Sequence, residues 1–252
     1  MATFDAFALA TAIGLRTSSI ALTIGPLAPA VRDAAGLALG VASVAALVGR
    51  PVHLAIGSSS PVVVEHWHGR RFDEPSLRDT ATRLRPLLAG DRDPVGGYRL
   101  RLPAPASSLT IAAFGPSSVR VAHELGDRMV VNLCTPAQAA TLAANAAWVP
   151  AAIDPTPEAI DQLRRGVVPY LAAPGYGEMF TDAGFGDVVA LARSGAHPRD
   201  VFAAVPRQLV AAIAILDPAD VERWACVDEL VVVPATAGDP GGRRTLEALA
   251  AQ

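Results

Sequence analysis

The chain has 252 residues, 51% of them hydrophobic and 18% charged, which is material for a large core, and α/β barrels of this length form one domain; residues 1–252 are accordingly read as one. All 21 basic residues are arginine, which excludes a Schiff-base lysine, a phosphate-loop lysine and a lysine general base. A formal net charge of -3 without a basic run argues against nucleic acid as a partner.

The segment MATFDAFALATAIGL carries Asp5 and no arginine before Arg16, the wrong sign for a secretory leader. Residues 19–24 form an apolar run suited to a buried parallel strand. Residues 34–49 are more apolar still, but fall short of the ~18 residues of a membrane span, so a buried helix is expected and no membrane association. A second strand is expected at 52–56. Between Asp73 and Gly90, Leu77, Ala81, Leu84 and Leu88 make a helical stripe that Pro86 must kink or shorten. Strands are expected at 109–113 and 129–133, and after the latter Thr135 caps a helix with Pro136 in its first turn and Gln138 completing a capping box. A strand at 148–153 leads to a helix started by Thr156 and Pro157, and Asp217 with Pro218 repeats that grammar. Arg164 and Arg165 stand before Gly166 as if closing a helix, although they could also meet an anionic cofactor tail. Residues 172–180 and 182–187 suit a substrate lid or a plain surface turn. A final strand at 230–233 precedes a flexible turn at 241–244.

Strand followed by helix, repeated, implies a parallel sheet with right-handed crossovers. Neither IGSSSP nor AFGPSS supplies the G-x-G-x-x-G of a dinucleotide fold, so a barrel is favoured, with its chemistry on the loops that follow the strands. Those ends are poor in ionisable groups: Asp154 is the one clear candidate metal ligand, and no metal site is expected. Such ends suit chemistry carried by a bound cofactor. Cys134 and Cys226 are too few and too far apart for a disulfide framework, which makes a reducing cytoplasm the default.

Four segments carry a family resemblance: TSSIALTIG (17–25), GRPVHLAIGSSSPVVVEHWHGRRFDEP (49–75), LTIAAFGPSSVRVAHELGDRMVVNLCTP (109–136) and DELVVVPAT (228–236). Together they resemble the bacterial-luciferase-like superfamily of flavin- and deazaflavin-dependent oxidoreductases, and within it the enzymes that use coenzyme F420. The resemblance implies a TIM-type (β/α)8 barrel holding a flat tricyclic ring at the strand ends. It implies a cofactor site at Thr23, Ile24 and Gly25, where the family places a non-proline cis peptide, at Gly57, Ser58 and Ser59, and at Ala113, Gly115, Pro116, Ser117 and Ser118. Ser117 and Ser118, with free N–H groups at a helix start, would also bind an anion on physical grounds, ordinary capping being the other reading. The strand, helix and strand that open other members have no counterpart here, so an incomplete barrel of about six strands is expected. Its edges would be left unpaired, a pairing liability. Where some deazaflavin dehydrogenases carry an acid and an amide, this chain has Ser60, Pro61 and the valines Val62, Val63 and Val64, which speaks against sugar-phosphate oxidation.

The stretch 53–72 admits three readings. A nucleophile elbow needs G-x-S-x-G, and IGSSSP lacks the second glycine. His66 and His68 could meet a metal if extended, but lack further ligands. As a pocket rim, Gly57 to Ser60 would let backbone approach the cofactor, Trp67 would cover it, and His66 or His68 would donate a proton to substrate; packing by Trp67 with both histidines in solvent is the competing reading. His53, at a strand start, belongs to the stability end of the barrel. The expected activity is hydride transfer between coenzyme F420 and a small organic substrate. An FMN-dependent monooxygenase and a cofactor-free relative are the alternatives, and pairing of such barrels suggests a homodimer.

Overall fold

Helix starts obey the capping grammar read from the sequence. Asp33 accepts the Gly36 N–H at the head of α2 (Ala34–Val48), and Ser76 accepts the Asp79 N–H at the head of α3 (Leu77–Leu88). Thr135 and Gln138 form the full reciprocal box of α5 (Pro136–Thr141), and Thr156 caps α6 (Pro157–Leu171). Each such cap satisfies first-turn N–H groups that have no partner within the helix. Pro86 sits in the last turn of α3, which ends two residues later.

The computed structural model describes residues 4–72 and 75–251. Asp73 and Glu74, near the close of the second quoted segment, and residues 1–3 lie outside the described residues. The chain divides into two units, residues 1–129 and 130–252.

The first unit contains α1 (Ala6–Gly14), β1 (Thr23–Leu27), α2, β2 (His53–Gly57), a π-helical turn (Val62–Trp67), α3, β3 (Leu109–Ala112) and α4 (Pro116–Leu125). β2 pairs in parallel with both β1 and β3. Alternation along the strands puts Leu54 and Ile56 of β2, with Leu109 and Ile111 of β3, on one face. All four are fully buried, as are Leu37, Val41, Leu84 and Leu87 of the helices, each contributing about 1.5–3 kcal/mol of apolar burial. The other face carries Ala55, Gly57, Thr110 and Ala112, residues with little or no side chain. β1 starts later than the sequence pattern suggested. Its ladder opens at Thr23 opposite His53, whose N–H bonds to the Leu22 carbonyl, and residues 19–21 are exposed outside it. His53 Nδ1 accepts the Ser108 N–H at 3.1 Å at the amino end of the sheet, the structural place expected for it.

The second unit opens within β4 (Arg128–Asn132) and contains α5, β5 (Ala146–Ala151), α6, α7 (Tyr176–Phe180), α8 (Gly186–Arg193), α9 (Pro198–Ala204), α10 (Arg207–Ile213), β6 (Glu229–Pro234) and α11 (Arg243–Ala250). β5 pairs in parallel with β4 and with β6. Three expectations change here. Residues 176–187 are helical rather than a plain turn, with Gly177, Met179 and Phe180 buried while the rest of the segment is exposed or half-buried. α6 does not close at Arg165 but runs through Gly166 to Leu171. Arg164 instead donates to the carbonyls of Phe202, Ala203 and Val205 at the end of α9, and its guanidinium lies 4.8 Å from the Phe202 ring centre. Finally, residues 241–244 enter α11 through a cap in which buried Asp239 accepts the Arg244 and Thr245 N–H groups, each at 3.0 Å.

Six parallel strands, each followed by helix, stand among the described residues, two fewer than the eight of a closed barrel. The fold is α/β, an incomplete TIM-type (β/α)8 barrel.

Candidate functional site

In the first unit the carboxyl ends of β1, β2 and β3 converge with almost no side chains between them. Gly25 has φ +130°, and a β-carbon there would stand 2.1 Å from the Ala55 carbonyl oxygen. A β-carbon at Gly57 would meet the Ala112 methyl at 2.9 Å and the Pro26 ring at 3.4 Å. Only glycine allows this approach at residue 25. The described residues hold one cis peptide bond, Gly25–Pro26, so the cis bond at this place precedes proline, contrary to the non-prolyl one expected. It accompanies a register irregularity between Ile24 and Leu27. Ile24 and Ala113 are 3% and 4% exposed and pack beneath this surface, and Ser58 and Ser59 are exposed just past the end of β2, whereas Thr23, expected in the same site, is exposed at the opposite, amino end of β1, paired with His53. Ser59 itself holds a left-handed φ of 65°.

Gly115 leads into α4, with Pro116 in the first turn. The Ser118 hydroxyl donates to the Gly115 carbonyl at 3.0 Å and accepts the Phe114 N–H at 3.1 Å. Its side chain is therefore engaged in the turn before α4, whose N-cap is Gly115 and which no side chain caps. Ser117 is exposed at the same helix start, where first-turn N–H groups and the helix dipole favour an anion.

His66 and His68 lie on and just after the π-helical turn, both exposed, and Trp67 between them is 59% exposed. The helical backbone rules out the extended i, i+2 arrangement that a shared metal would need, and no metal-binding cluster occurs among the described residues.

The second unit holds a pocket that the sequence reading did not assemble. On its sheet side, Asn132 is in register with Trp148, and Pro150 with Val233, so these four share one face. Gln162, Gly166 and Tyr170 recur every fourth residue along α6, with Leu163 beside them, forming the opposite wall of a pocket of about 270 Å³. Gln162 pins the chain after β6: its Oε1 accepts the Thr236 and Ala237 N–H groups at 3.0 and 2.7 Å, and its Nε2 donates to the Thr236 hydroxyl at 3.4 Å. Tyr176 donates its hydroxyl to Asn132 Oδ1 at 2.5 Å. Burial pushes that phenol above its ordinary range, so it stays protonated. Nearby Cys134 is buried and its thiol is pushed up to about 12, while Cys226 is exposed. Asn132 and Pro234 are strand-end residues, where barrel function is read; Trp148 and the α6 stripe gave no local signal.

A model of the family described as luciferase-like monooxygenase matches residues 1–170, and the chain belongs to that family. No curated protein matches its sequence. Among solved structures it is similar to the coenzyme F420-dependent tetrahydromethanopterin reductase from Methanopyrus kandleri, with a TM-score of 0.72 and 16% identity over 97% of this chain and 87% of that one. An F420-dependent secondary alcohol dehydrogenase in complex with an F420-acetone adduct gives a TM-score of 0.68 and 14% identity over 98% and 84% of the two chains. The oxygenating constituent of 3,6-diketocamphane monooxygenase from Pseudomonas putida, in complex with FMN, gives 0.60 and 14% over 99% and 84%. At these identities the likeness establishes the fold. No helix among the described residues is long and apolar enough to cross a membrane.

Proposed function

We propose that this chain is an oxidoreductase that moves hydride between coenzyme F420 and a small organic substrate. The observation that carries this reading is the close approach of Gly25, Pro26, Gly57 and Ala112, packed so tightly that β-carbons at both glycines would collide with neighbouring protein atoms, which leaves a bed nearly free of side chains that suits a flat ring. Ser58 and Ser59 rim it, with Ile24 and Ala113 packing it from beneath. Gly115, Pro116, Ser117 and Ser118 would hold the anionic tail at the start of α4. The deazaflavin ring, when bound, supplies the hydride chemistry; the chain binds it, orients it and, through His66 or His68, delivers a proton to the substrate. The protein would act in the cytoplasm.

Titration of the folded protein with F420 and, in parallel, FMN tests this reading. Saturable F420 binding at about one per chain, with weaker FMN binding, is the expected result; FMN preference would move the assignment to a monooxygenase, and binding of neither to a cofactor-free relative. Ser117→Asp sharpens the test. A carboxylate in the first turn of α4 favours the helix dipole by about 0.3–1 kcal/mol, yet would repel an anionic tail, so cofactor affinity should drop about tenfold without loss of stability. Exposed Phe4, Leu9, Ile13, Leu15 and Ile20, in and around α1, offer the apolar surface for a homodimer, which a monomeric mass by light scattering would refute.

A further inference from the structure

The pocket of the second unit calls for a ligand different in kind from a charged cofactor tail. None of the residues that wall it, Asn132, Trp148, Gln162, Leu163 and Gly166 among them, carries a charge at neutral pH. Gln162 is already committed to the chain after β6. Asn132 is held differently: with Oδ1 taken by the protonated Tyr176 hydroxyl, its Nδ2 is left as a donor. Gly166 is the centre of the α6 stripe, in a helix interior where glycine is costly, and a β-carbon there would meet no atom within 4 Å. Neither packing nor helix geometry excludes a side chain at 166. Its absence is what leaves the pocket open opposite Trp148.

We infer that this pocket takes an uncharged, largely apolar organic molecule of roughly ten to twelve non-hydrogen atoms, about twice the volume of a cavity that holds benzene, bearing one carbonyl or hydroxyl acceptor. Asn132 anchors that acceptor, Trp148 and Leu163 contact the apolar body, and Gly166 sets the size limit. The inference stands on the second unit alone and does not depend on which cofactor, if any, the first unit binds.

Calorimetric titration of the full chain with 1-tetralone, its hydrocarbon tetralin and anionic 1-naphthoate tests it. 1-Tetralone should bind at one per chain, tetralin about fivefold more weakly for want of the acceptor, and 1-naphthoate more weakly still. Gly166→Leu should weaken 1-tetralone at least about tenfold by occupying the space, with F420 and FMN affinities unchanged. Asn132→Asp keeps an acceptor for Tyr176 but removes the donor, so the preference for 1-tetralone over tetralin should vanish. No binding of 1-tetralone by the wild type, equal binding by Gly166→Leu, or loss of cofactor affinity in Gly166→Leu would overturn the inference, the last because the pocket would then hold the cofactor. Binding of 1-tetralone with these dependences alongside failure of both F420 and FMN would leave the pocket assignment standing and remove the proposed function.

Discussion

Gly25 and Asp93 show how single residues carry the first unit. A β-carbon at Gly25 would collide with the Ala55 carbonyl, and backbone there cannot retreat without breaking the pairing of β1 with β2. Gly25→Ala should therefore cost about 3 kcal/mol or more, read as a shift in urea midpoint. Asp93 is buried and takes three hydrogen bonds from Arg83, the shortest 2.6 Å, and one from the Val95 N–H. The Arg83 guanidinium holds its carboxyl below the usual range. Because the folded state binds its proton less tightly, the stabilisation is present above the unfolded value of about 4 and fades as pH falls through the depressed folded value. Asp93→Asn should cost about 2–3 kcal/mol at neutral pH, and the gap to wild type should narrow in unfolding measured near pH 3.

At the scale of elements, α6 is the instructive case. A helix-interior glycine followed three residues later by Pro169 reads as a stop signal, yet the helix continues because its apolar stripe is buried at Ile160, Val167 and Leu171. Gly166→Ala should stabilise the protein by about 1 kcal/mol, measured by thermal unfolding, while Thr135→Ala should cost about as much through loss of the α5 cap. Caps were legible because they are local: a hydroxyl, a proline and an amide within four residues. The far end of β1 was misread for the complementary reason. Gly25 and Pro26 look like a strand terminus, but the irregular register lets the strand accommodate a residue with no N–H to give. The helices of residues 176–187 were not legible because glycine and aromatic content says nothing about the distant residues that bury Met179 and Phe180.

For the whole molecule, alternating strand and helix and a count of six strands could be read from hydrophobic runs alone, since a buried parallel strand needs nothing else. The bed of the first unit was half legible: its glycines and serines stand at strand ends, but only coordinates show that Gly57 lies against Pro26 and Ala112. The pocket of the second unit was not, because Asn132, Trp148, Gly166 and Val233 come from four segments spread over a hundred residues. If the exposed apolar side chains of α1 pair two copies, stability becomes linked to association, and the melting temperature should rise by a few degrees on tenfold concentration.

The two cysteines have a practical consequence. Cys226 is exposed and Cys134 is buried with a thiol that will not ionise, so a maleimide dye added to the folded chain should attach once. Attachment of a second dye requires the core beside β4 to open. The rate of that slower labelling then serves as a clock for opening of the second unit, readable by mass spectrometry under native conditions.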